Sequence, residues 1–599
     1  MISQPITTID TAFKDDTPQN TVARIKGILD HYGIQTTEFW FDSGVPGCHS
    51  VRVTVTGTVF GTNGKGVTRE LALASGYGEL MERLQIGRIF KGDRQKVGDI
   101  SSKKSEAQVN AESLLNKNMA WYTRLSEDAR QITGVTISPE ELLRQYTDQN
   151  GNVAVTSYYC INSGTREYLP TELLKIYGTN GCAAGNTTEE VLVQAISEIV
   201  ERRFSSRILT EQIDVPDIPE EVLRSYPHAY SVITFLRQRN FKVVVKDCSL
   251  GTKFPVICVC LVDLKTGKYH THFGAYPIFE IALNRTLTES FQGRNIQKIA
   301  QFEKFFTQKG DSLDLGNLLN QMCKGASEKS PYFFISSTAP AAISCGFTGT
   351  NNRQLLAECV EFLQEQGCDI LVRDYSCLGF PTYQVVIPGY SETFVHRLIP
   401  DFNDVRYSSY AQLVLRNPAA AKHNELVGFQ MHLVQSAKQK MKAPSFSAQA
   451  NLPLEMENGE EGYLMDASMA YINYALGRHG ECVKYISKML LRREDHQATL
   501  LCLKRYLNLM AEHYRPEQIR EILTYFHEEE TVQALMDIID KQENPLDGFV
   551  LHCDLACQPT CKLYGKCLKK QTDALSRMIE GKQLKVDQAI LQQALASMR

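Results

Sequence analysis

The sequence predicts a mixed α/β domain over roughly its first two thirds, followed by an all-α C-terminal domain. Three observations carry this expectation. Strand-like alternation and helix-spaced segments interleave up to residue 402. Beyond that point the legible segments all have helix spacing. The chain has 599 residues, more than one typical core accommodates, and its 43% hydrophobic and 22% charged content is that of an ordinary globular protein.

In the first part, VRVTVTG at Val51 to Gly57 alternates like a strand. KVVVKDCSL and FPVICVCLVDL read as neighbouring strands, and YQVVIPG at Tyr383 to Gly389 as another. Helical spacing covers Asp16 to Tyr32, Thr68 to Leu84, Thr187 to Leu209, Ile278 to Gln292 and Arg353 to Gln366. The expected organisation is an α/β domain over 1–402, a connection over 403–454, and a helical domain over 455–599. The connection is polar and punctuated by Pro and Ala around Ala443 to Leu454. AYINYALGRHGECVKYISKMLLRR and DHQATLLCLKRYLNLMAEHYRPEQIREILTYF resemble TPR-like helix pairs without a clean repeat of about 34 residues. A helical extension that covers apolar surface of the first domain is the alternative.

A formal net charge of -4 argues against a nucleic-acid-binding surface over the whole chain. The N-terminus MISQPITTIDTAFKDD lacks the basic and apolar regions of a secretory signal. No apolar run approaches the ~20 residues that span a bilayer. The 17 cysteines, odd in number and mostly scattered, fit reduced thiols, so the expected location is cytoplasmic, without a membrane partner.

Two segments share an element. GTNGKGVTRELALASGYGELMERL runs from Gly61 to Leu84 and GTNGCAAGNTTEEVLVQAISEIVERRF from Gly178 to Phe204, and both reach Glu-x-x-Glu-Arg. Thr187 to Glu190 fits a capping box, a local role for Glu190. Yet Glu190, Gln194, Glu198 and Glu201 fall within an arc of about 80° on a helix whose other positions are apolar, which predicts burial. Buried, unpaired carboxylates cost several kcal/mol each, so cations must be near. Arg202 and Arg203 offer simple salt bridges. Glu79 and Glu82 repeat the pattern with Arg83, and the five acids point instead to a cage for a hard cation such as Mg2+. NRTLTESFQGR places Arg285 and Glu289 one turn apart, suited to phosphate recognition and to joining the cage. GTNG and AAGNT read as small-residue loops before helix starts, where phosphate approaches backbone amides, although neither fits the P-loop spacing.

These segments, together with FKDD, VPGCHSVRV, SLGTKFPVICVCL, FGAYPIFEIALNRTLTESFQGR and VVIPG in this order, resemble the YcaO family over nearly the whole α/β part. The resemblance implies a YcaO-type ATP-binding fold that uses Mg2+-ATP to activate a backbone amide oxygen toward a thiol, hydroxyl or sulfide nucleophile. It implies a metal set of Glu79, Glu82, Glu190, Glu198, Glu201 and Glu289. It implies nucleotide contacts from Lys14, Thr21, Asn186, Gln194, Arg202 and Arg285, with Glu198, Glu201, Arg202 and Arg285 nearest the chemistry. By the same resemblance Thr21 stands where relatives can have serine and keeps the hydroxyl; Ala183 stands where some have serine and loses it.

Azoline-forming members carry a Pro-x-Pro-x-Pro tail, whereas this chain reads LLQQALASMR at its end, as expected for the stand-alone branch. That branch implies an ATP-hydrolysing accessory factor for β-methylthiolation of an aspartate in ribosomal protein S12, partnered by a radical-SAM methylthiotransferase. The alternatives are a peptide-modifying enzyme making a thioamide or azoline, and a nucleotide-binding adaptor whose helical domain recruits partners. A homodimer is a further partner expectation.

HCDLACQPTCKLYGKC sets Cys553, Cys557, Cys561 and Cys567 beside His552, which predicts either a Zn2+ or Fe–S site or a helical turn with reduced thiols. Trp40 and Trp121 read as packing anchors, and His270, His272 and His396 show no ligand spacing. Cys182 is explained by small size, and no Ser-His-Asp or Cys-His signature rises above background.

Overall fold

The computed structural model describes residues 9–87, 107–305, 315–335, 346–399, 405–438, 458–492, 497–553, 568–586 and 588–596. The chain forms two compact units. The first comprises Met1–Phe90, Gln95–Ile399 and Ala574–Arg599, the second Lys91–Arg94 and Pro400–Asp573.

The first unit is built on three sheets. β1 (Thr36–Phe41), β2 (His49–Val55) and β3 (Gly61–Gly66) form an antiparallel meander in that order. A six-stranded sheet joins β4 (Ala107–Asn110), β5 (Asn152–Cys160), β6 (Arg166–Pro170), β7 (Cys182–Ala184), β11 (Leu371–Asp374) and β12 (Thr382–Val386) in the path β4-β5-β11-β12-β7, with β6 on β5. The third sheet orders β8 (Phe241–Asp247), β9 (Val256–Asp263) and β10 (Tyr269–Ala275) as β10-β9-β8. FPVICVCLVDL does pair with the KVVVKD strand, from Phe241↔Asp263 to Asp247↔Ile257, and β9 is buried over its first six positions because both its faces are covered.

Helix Thr188–Thr210 is the central element. Thirteen of its 23 residues are buried, including Val191, Ile196 and Val200, which join one continuous core with Val259 and Leu283. Its apolar circumference has the expected consequence, a helix with covering elements on most sides. The expected helices are found at Pro18–His31, Arg69–Gln85, Phe279–Ser290 and Asn352–Gln364. The sequence reading passed over the helices Met119–Thr133 and Pro139–Arg144 and the strand β5.

The first GTNG is not a loop. It is β3 itself, and the reason is steric: a Cβ on Gly64 would lie 2.0 Å from Ala72 O, and one on Gly66 2.6 Å from Ala72 N, so the glycines let helix Arg69–Gln85 lie directly on the strand. The second GTNG is a turn ahead of β7, with Gly178 and Gly181 at φ of 62° and 75°, a region that side chains disfavour. Both copies then converge on one order of strand, capping threonine and long helix, the first with GTNG inside the strand and the second with GTNG ahead of it. Thr68 Oγ1 accepts from Leu71 N at 3.2 Å and Thr187 Oγ1 from Glu190 N at 3.2 Å.

The segment after 574 belongs to the first unit. Leu584 N donates to Cys377 O at 2.8 Å, Gln588 exchanges hydrogen bonds of 3.0 and 3.1 Å with the Asp374 backbone, and Leu591 and Leu595 lie in the core.

The second unit is helical, with helices Val405–Arg416, His423–Lys438, Asn458–Ala475, His479–Arg492, Gln497–Ala511, Pro516–Phe526 and Glu529–Asp540. Ala467, Ile472, Cys482, Ile486, Leu503 and Leu523 anchor its own core. Among the described residues no helix is long and apolar enough to cross a membrane.

Candidate functional site

A cavity of about 620 Å3 opens in the first unit. All twelve residues proposed for metal and nucleotide contact line it: Lys14, Thr21, Glu79, Glu82, Asn186, Glu190, Gln194, Glu198, Glu201, Arg202, Arg285 and Glu289. They come from an N-terminal strap, four helices and the turn that carries Asn186, so the fold brings together what the sequence spreads over 276 positions.

At one end the strap closes over the start of helix Thr188–Thr210. Glu190 accepts from Lys14 Nζ at 3.1 Å, from the backbone N of Asp15 at 3.1 Å and from Asn186 Nδ2 at 3.0 Å. Thr21 Oγ1 donates to Asn186 Oδ1 at 2.9 Å. Burial pushes the Glu190 carboxyl upward, but Lys14 and these donors outweigh it and hold it below its ordinary value. Only half of the expected capping box forms: Thr187 caps the helix, while the Glu190 side chain turns to Lys14 instead of reaching back.

The middle of the cavity is a pair of matched helices. Glu79, Glu82 and Arg83 stand eleven, fourteen and fifteen residues after the cap Thr68, and Glu198, Glu201 and Arg202 stand at the same three distances after Thr187. The pairing repeats as well. Arg83 NH2 lies 3.1 Å from Glu79 Oε1 and Arg202 NH2 lies 2.7 Å from Glu198 Oε1. Arg83 NH1 adds Glu82 at 2.8 Å, and Arg202 NH1 donates to Met322 O at 2.5 Å.

Glu82 and Glu201 are the deeply desolvated members. Burial, with help from Glu198 and Glu79 and against Arg83, pushes Glu82 up to about 8. Burial and the neighbouring Glu289, against Arg285 and Arg202, push Glu201 up to about 8. Glu289 is buried too, yet Lys65, in an ion pair with it, and His272, 3.9 Å away, hold its carboxyl far below its usual range. Of the two acids Glu201 therefore keeps the proton. Arg285 donates to Gln194 Oε1 and sits 5.7 Å from the Tyr276 ring centre, which fixes its guanidinium at the cavity wall.

Among the described residues no three His, Cys, Asp or Glu side chains converge on a point that would hold a metal ion as they stand, because each acid leans on a basic neighbour or keeps a proton. The donor set nonetheless fits a hard divalent cation: six carboxylates, no thiolate, and two acids whose protons a cation would displace.

Ala183 is 3% exposed and lines the same wall with a methyl group and no donor. Cys182 is buried there as a small residue. Cys557, Cys561 and Cys567 lie outside the described residues; Cys553 donates its backbone N–H to Leu415 O at 2.9 Å in the second unit. Trp121 is an anchor as expected, donating to Glu392 at 2.8 Å, and Trp40 stacks on Arg69 at 3.9 Å.

The cavity also holds residues passed over by the sequence reading. Asn63, Lys65, Gln292 and Arg294 line its wall near Glu289, as does His272, which showed no ligand spacing in the sequence. Lys65 and Arg294 lay inside quoted motifs, GTNGKG and ESFQGR, and their charge was a usable signal. His272 had no such signal, because its partner Glu289 is brought to it by the turn from β10 into helix Phe279–Ser290.

The description of the family model that matches residues 63–391 is YcaO cyclodehydratase, ATP- and Mg2+-binding. Among curated proteins, the ribosomal protein S12 methylthiotransferase accessory factor YcaO of Escherichia coli is 28% identical over 400 residues, covering 64% of this chain and 66% of that protein. An uncharacterized protein of Haemophilus influenzae is 27% identical over 401 residues, with the same coverage. The match thus spans just under two thirds of these relatives' own length. Solved structures similar to this chain include a heterocyclase in complex with substrate and cofactor, at 20% identity and a TM-score of 0.44, covering 63% of this chain and 53% of that one. YcaO from Methanopyrus kandleri bound with AMPPCP and Mg2+ aligns at 18% identity and a TM-score of 0.40, covering 65% of this chain and 95% of that one.

Proposed function

Because the chain belongs to the YcaO family, we propose that its carboxylate cavity binds Mg2+-ATP and spends it on activating an amide carbonyl oxygen. The observation that carries this reading is the convergence of six glutamates, six arginine or lysine side chains and the Thr21–Asn186 pair on one cavity. Glu79, Glu82, Glu190, Glu198, Glu201 and Glu289 would hold Mg2+, and Lys14, Thr21, Asn186, Gln194, Arg202 and Arg285 would hold the nucleotide. Mg2+-ATP supplies a transferable phosphoryl or nucleotidyl group for the amide oxygen.

The chain's own contribution is placement and charge. Gln194 orients Arg285 toward the cavity, and the Glu198 pair does the same for Arg202, so both guanidinium groups are fixed where negative charge develops. Tyr276, Ala183 and Phe380 contribute apolar surface to the lining. Thr21 and Asn186 form a polar pair at the strap, and Lys14 holds that strap against Glu190.

The physiological setting we favour is an accessory factor for methylthiolation of ribosomal protein S12, acting in the cytoplasm with a radical-SAM partner, as the likeness to the Escherichia coli protein suggests. A peptide-modifying enzyme is the second reading, supported by the cyclodehydratase family description. The second unit, helical with its own core, would then serve as a TPR-like partner-binding module.

Mg2+-dependent ATP hydrolysis tests the site. Glu198→Gln and Glu201→Gln should each abolish turnover while circular dichroism and the unfolding midpoint stay near wild type. Unchanged turnover in both variants removes the cage assignment. Full methylthiolation of S12 in a deletion strain, read by intact-protein mass spectrometry, removes the accessory role.

A further inference from the structure

β3 is an edge strand whose residues line this cavity, and no further strand pairs with its outer side, where the Gln292 side chain reaches Asn63. The ladder between β2 and β3 starts with Val55 N donating to Phe60 O at 2.8 Å. Hydrogen-bonded pairs alternate along an antiparallel ladder, so with the register Val53↔Thr62 and Val51↔Gly64 the backbone groups of Thr62 and Gly64 point to β2. Those of Gly61, Asn63 and Lys65 therefore point away from it. The β2 side agrees, since Thr56 N bonds to Gln35 O on the opposite flank at 2.9 Å. Asn63 O accepts from Gln292 Nε2, which confirms the outward direction. Among the described residues the outward N–H groups of Asn63 and Lys65 have no partner.

Unpaired strand edges are templates for another backbone at a spacing of about 4.8 Å. This edge is short, and it borders the carboxylate cavity: Asn63 and Lys65 line the wall, and the Lys65 side chain is the one that pairs with Glu289. A second feature selects the occupant's charge. Arg294 lines the same wall, half-buried, with His270 Nε2 at 3.3 Å; the charge of Glu289 reaches it, but among the described residues no carboxylate stands within ion-pair distance. A guanidinium removed from water in this way favours an anionic oxygen pair.

We propose that the open edge of β3 is the peptide-binding edge: an extended acidic segment adds to it as a fourth strand, bonds the outward amides of Asn63 and Lys65, and sets a carboxylate against Arg294. This rests on the reading that an amide-bearing peptide is the substrate. Strand addition holds such a segment by main-chain bonds and leaves specificity to alternate side chains. It also carries the peptide's backbone past Glu289, where an amide oxygen would meet the cavity's charge.

Hydrogen exchange on the full chain, without ATP, tests this. The probe is a pool of hexapeptides with one fixed Asp and Ala, Gly, Thr or Val elsewhere, compared with the matching Asn pool and with the Asp pool N-methylated at alternate residues. The Asp pool should slow exchange at Asn63 and Lys65 roughly tenfold at a concentration about ten times its Kd, and leave Thr62 and Gly64 unchanged. The methylated pool should do nothing, and Arg294→Gln should erase the preference for Asp over Asn. Unchanged exchange at Asn63 and Lys65, or equal slowing by the methylated pool, overturns strand addition; equal slowing by Asp and Asn pools in wild type overturns the carboxylate anchor. Because ATP takes no part, loss of the Mg2+-ATP reading through absent turnover leaves this result separately readable.

Discussion

Lys14 Nζ lies 3.1 Å from Glu190 Oε1, across 176 positions of sequence. The lysine holds the Glu190 carboxyl below its ordinary value in a site where burial pushes Glu82 and Glu201 upward. It also ties the N-terminal strap to the central helix.

Replacing that cation is the first prediction. Lys14→Met leaves Glu190, with only 7% of its side chain exposed, dependent on two neutral donors. Lys14 itself is 40% exposed, so water screens part of the loss, and urea unfolding should show about 1–2 kcal/mol less stability. Mg2+-ATP affinity, read by calorimetry, should fall by roughly tenfold or more, equivalent to about 1.4 kcal/mol.

The glycines of the first repeat give a steric contrast. Gly64→Ala forces a Cβ to 2.0 Å from Ala72 O and 2.5 Å from Gly76 N, both backbone atoms that cannot step aside. Destabilisation of about 3 kcal/mol or more is expected, as for severe overpacking. Gly78→Ala, whose Cβ would meet only Ala184 O at 3.9 Å, should be neutral or gain up to about 1 kcal/mol from helix propensity. Chemical unfolding of the two variants side by side measures the difference.

Lys329 sets a pH dependence. It is 1% exposed, and burial, only partly offset by three nearby cysteines, pulls it down to about 8 from an ordinary 10.5. Its Nζ donates to Gln321 Oε1, Ser327 O and Ser327 Oγ at 2.9, 3.1 and 2.7 Å. Below pH 8 the folded and unfolded chains both carry the proton, and the burial penalty is complete. Between about 8 and 10.5 the unfolded chain binds the extra proton, so stability rises with pH by about 3 kcal/mol from this group. Lys329→Met should flatten that part of the stability–pH curve relative to wild type; an unchanged slope would contradict the shift.

Gln85 pins the turn that closes one wall. Its Nε2 donates to Phe380 O at 2.8 Å and Thr382 Oγ1 at 2.5 Å, and its Oε1 accepts from Leu378 N at 2.7 Å. Gln85→Leu strands these buried groups and should cost about 2–4 kcal/mol, seen as a lower unfolding midpoint in urea.

The parts legible in sequence were those where one residue pattern has one physical solution. The apolar circumference of Thr188–Thr210 meant burial, and acids at helical spacing within it meant a polar cavity on one side. The glycines were misread because sequence shows flexibility and not proximity: Gly64 is demanded by Ala72, and that contact exists only after helix Arg69–Gln85 folds back on β3. Glu190 shows the same limit, since its capping role looked local while its real partners sit at Lys14 and Asp15. His272 became visible only when β10 met the helix that carries Glu289 at one wall.

The return of the chain after residue 574 has a consequence for how this protein can be cut. In sequence the helical unit falls between segments of the first unit, so the larger unit has no single boundary in the gene. A truncation at 573 would strip Leu591 and Leu595 from the core and the Gln588 clasp from β11, even though it removes no residue of the cavity. Any removal of the helical unit therefore needs a cut on each side of it, and the C-terminal cut must spare helix Leu568–Ile579.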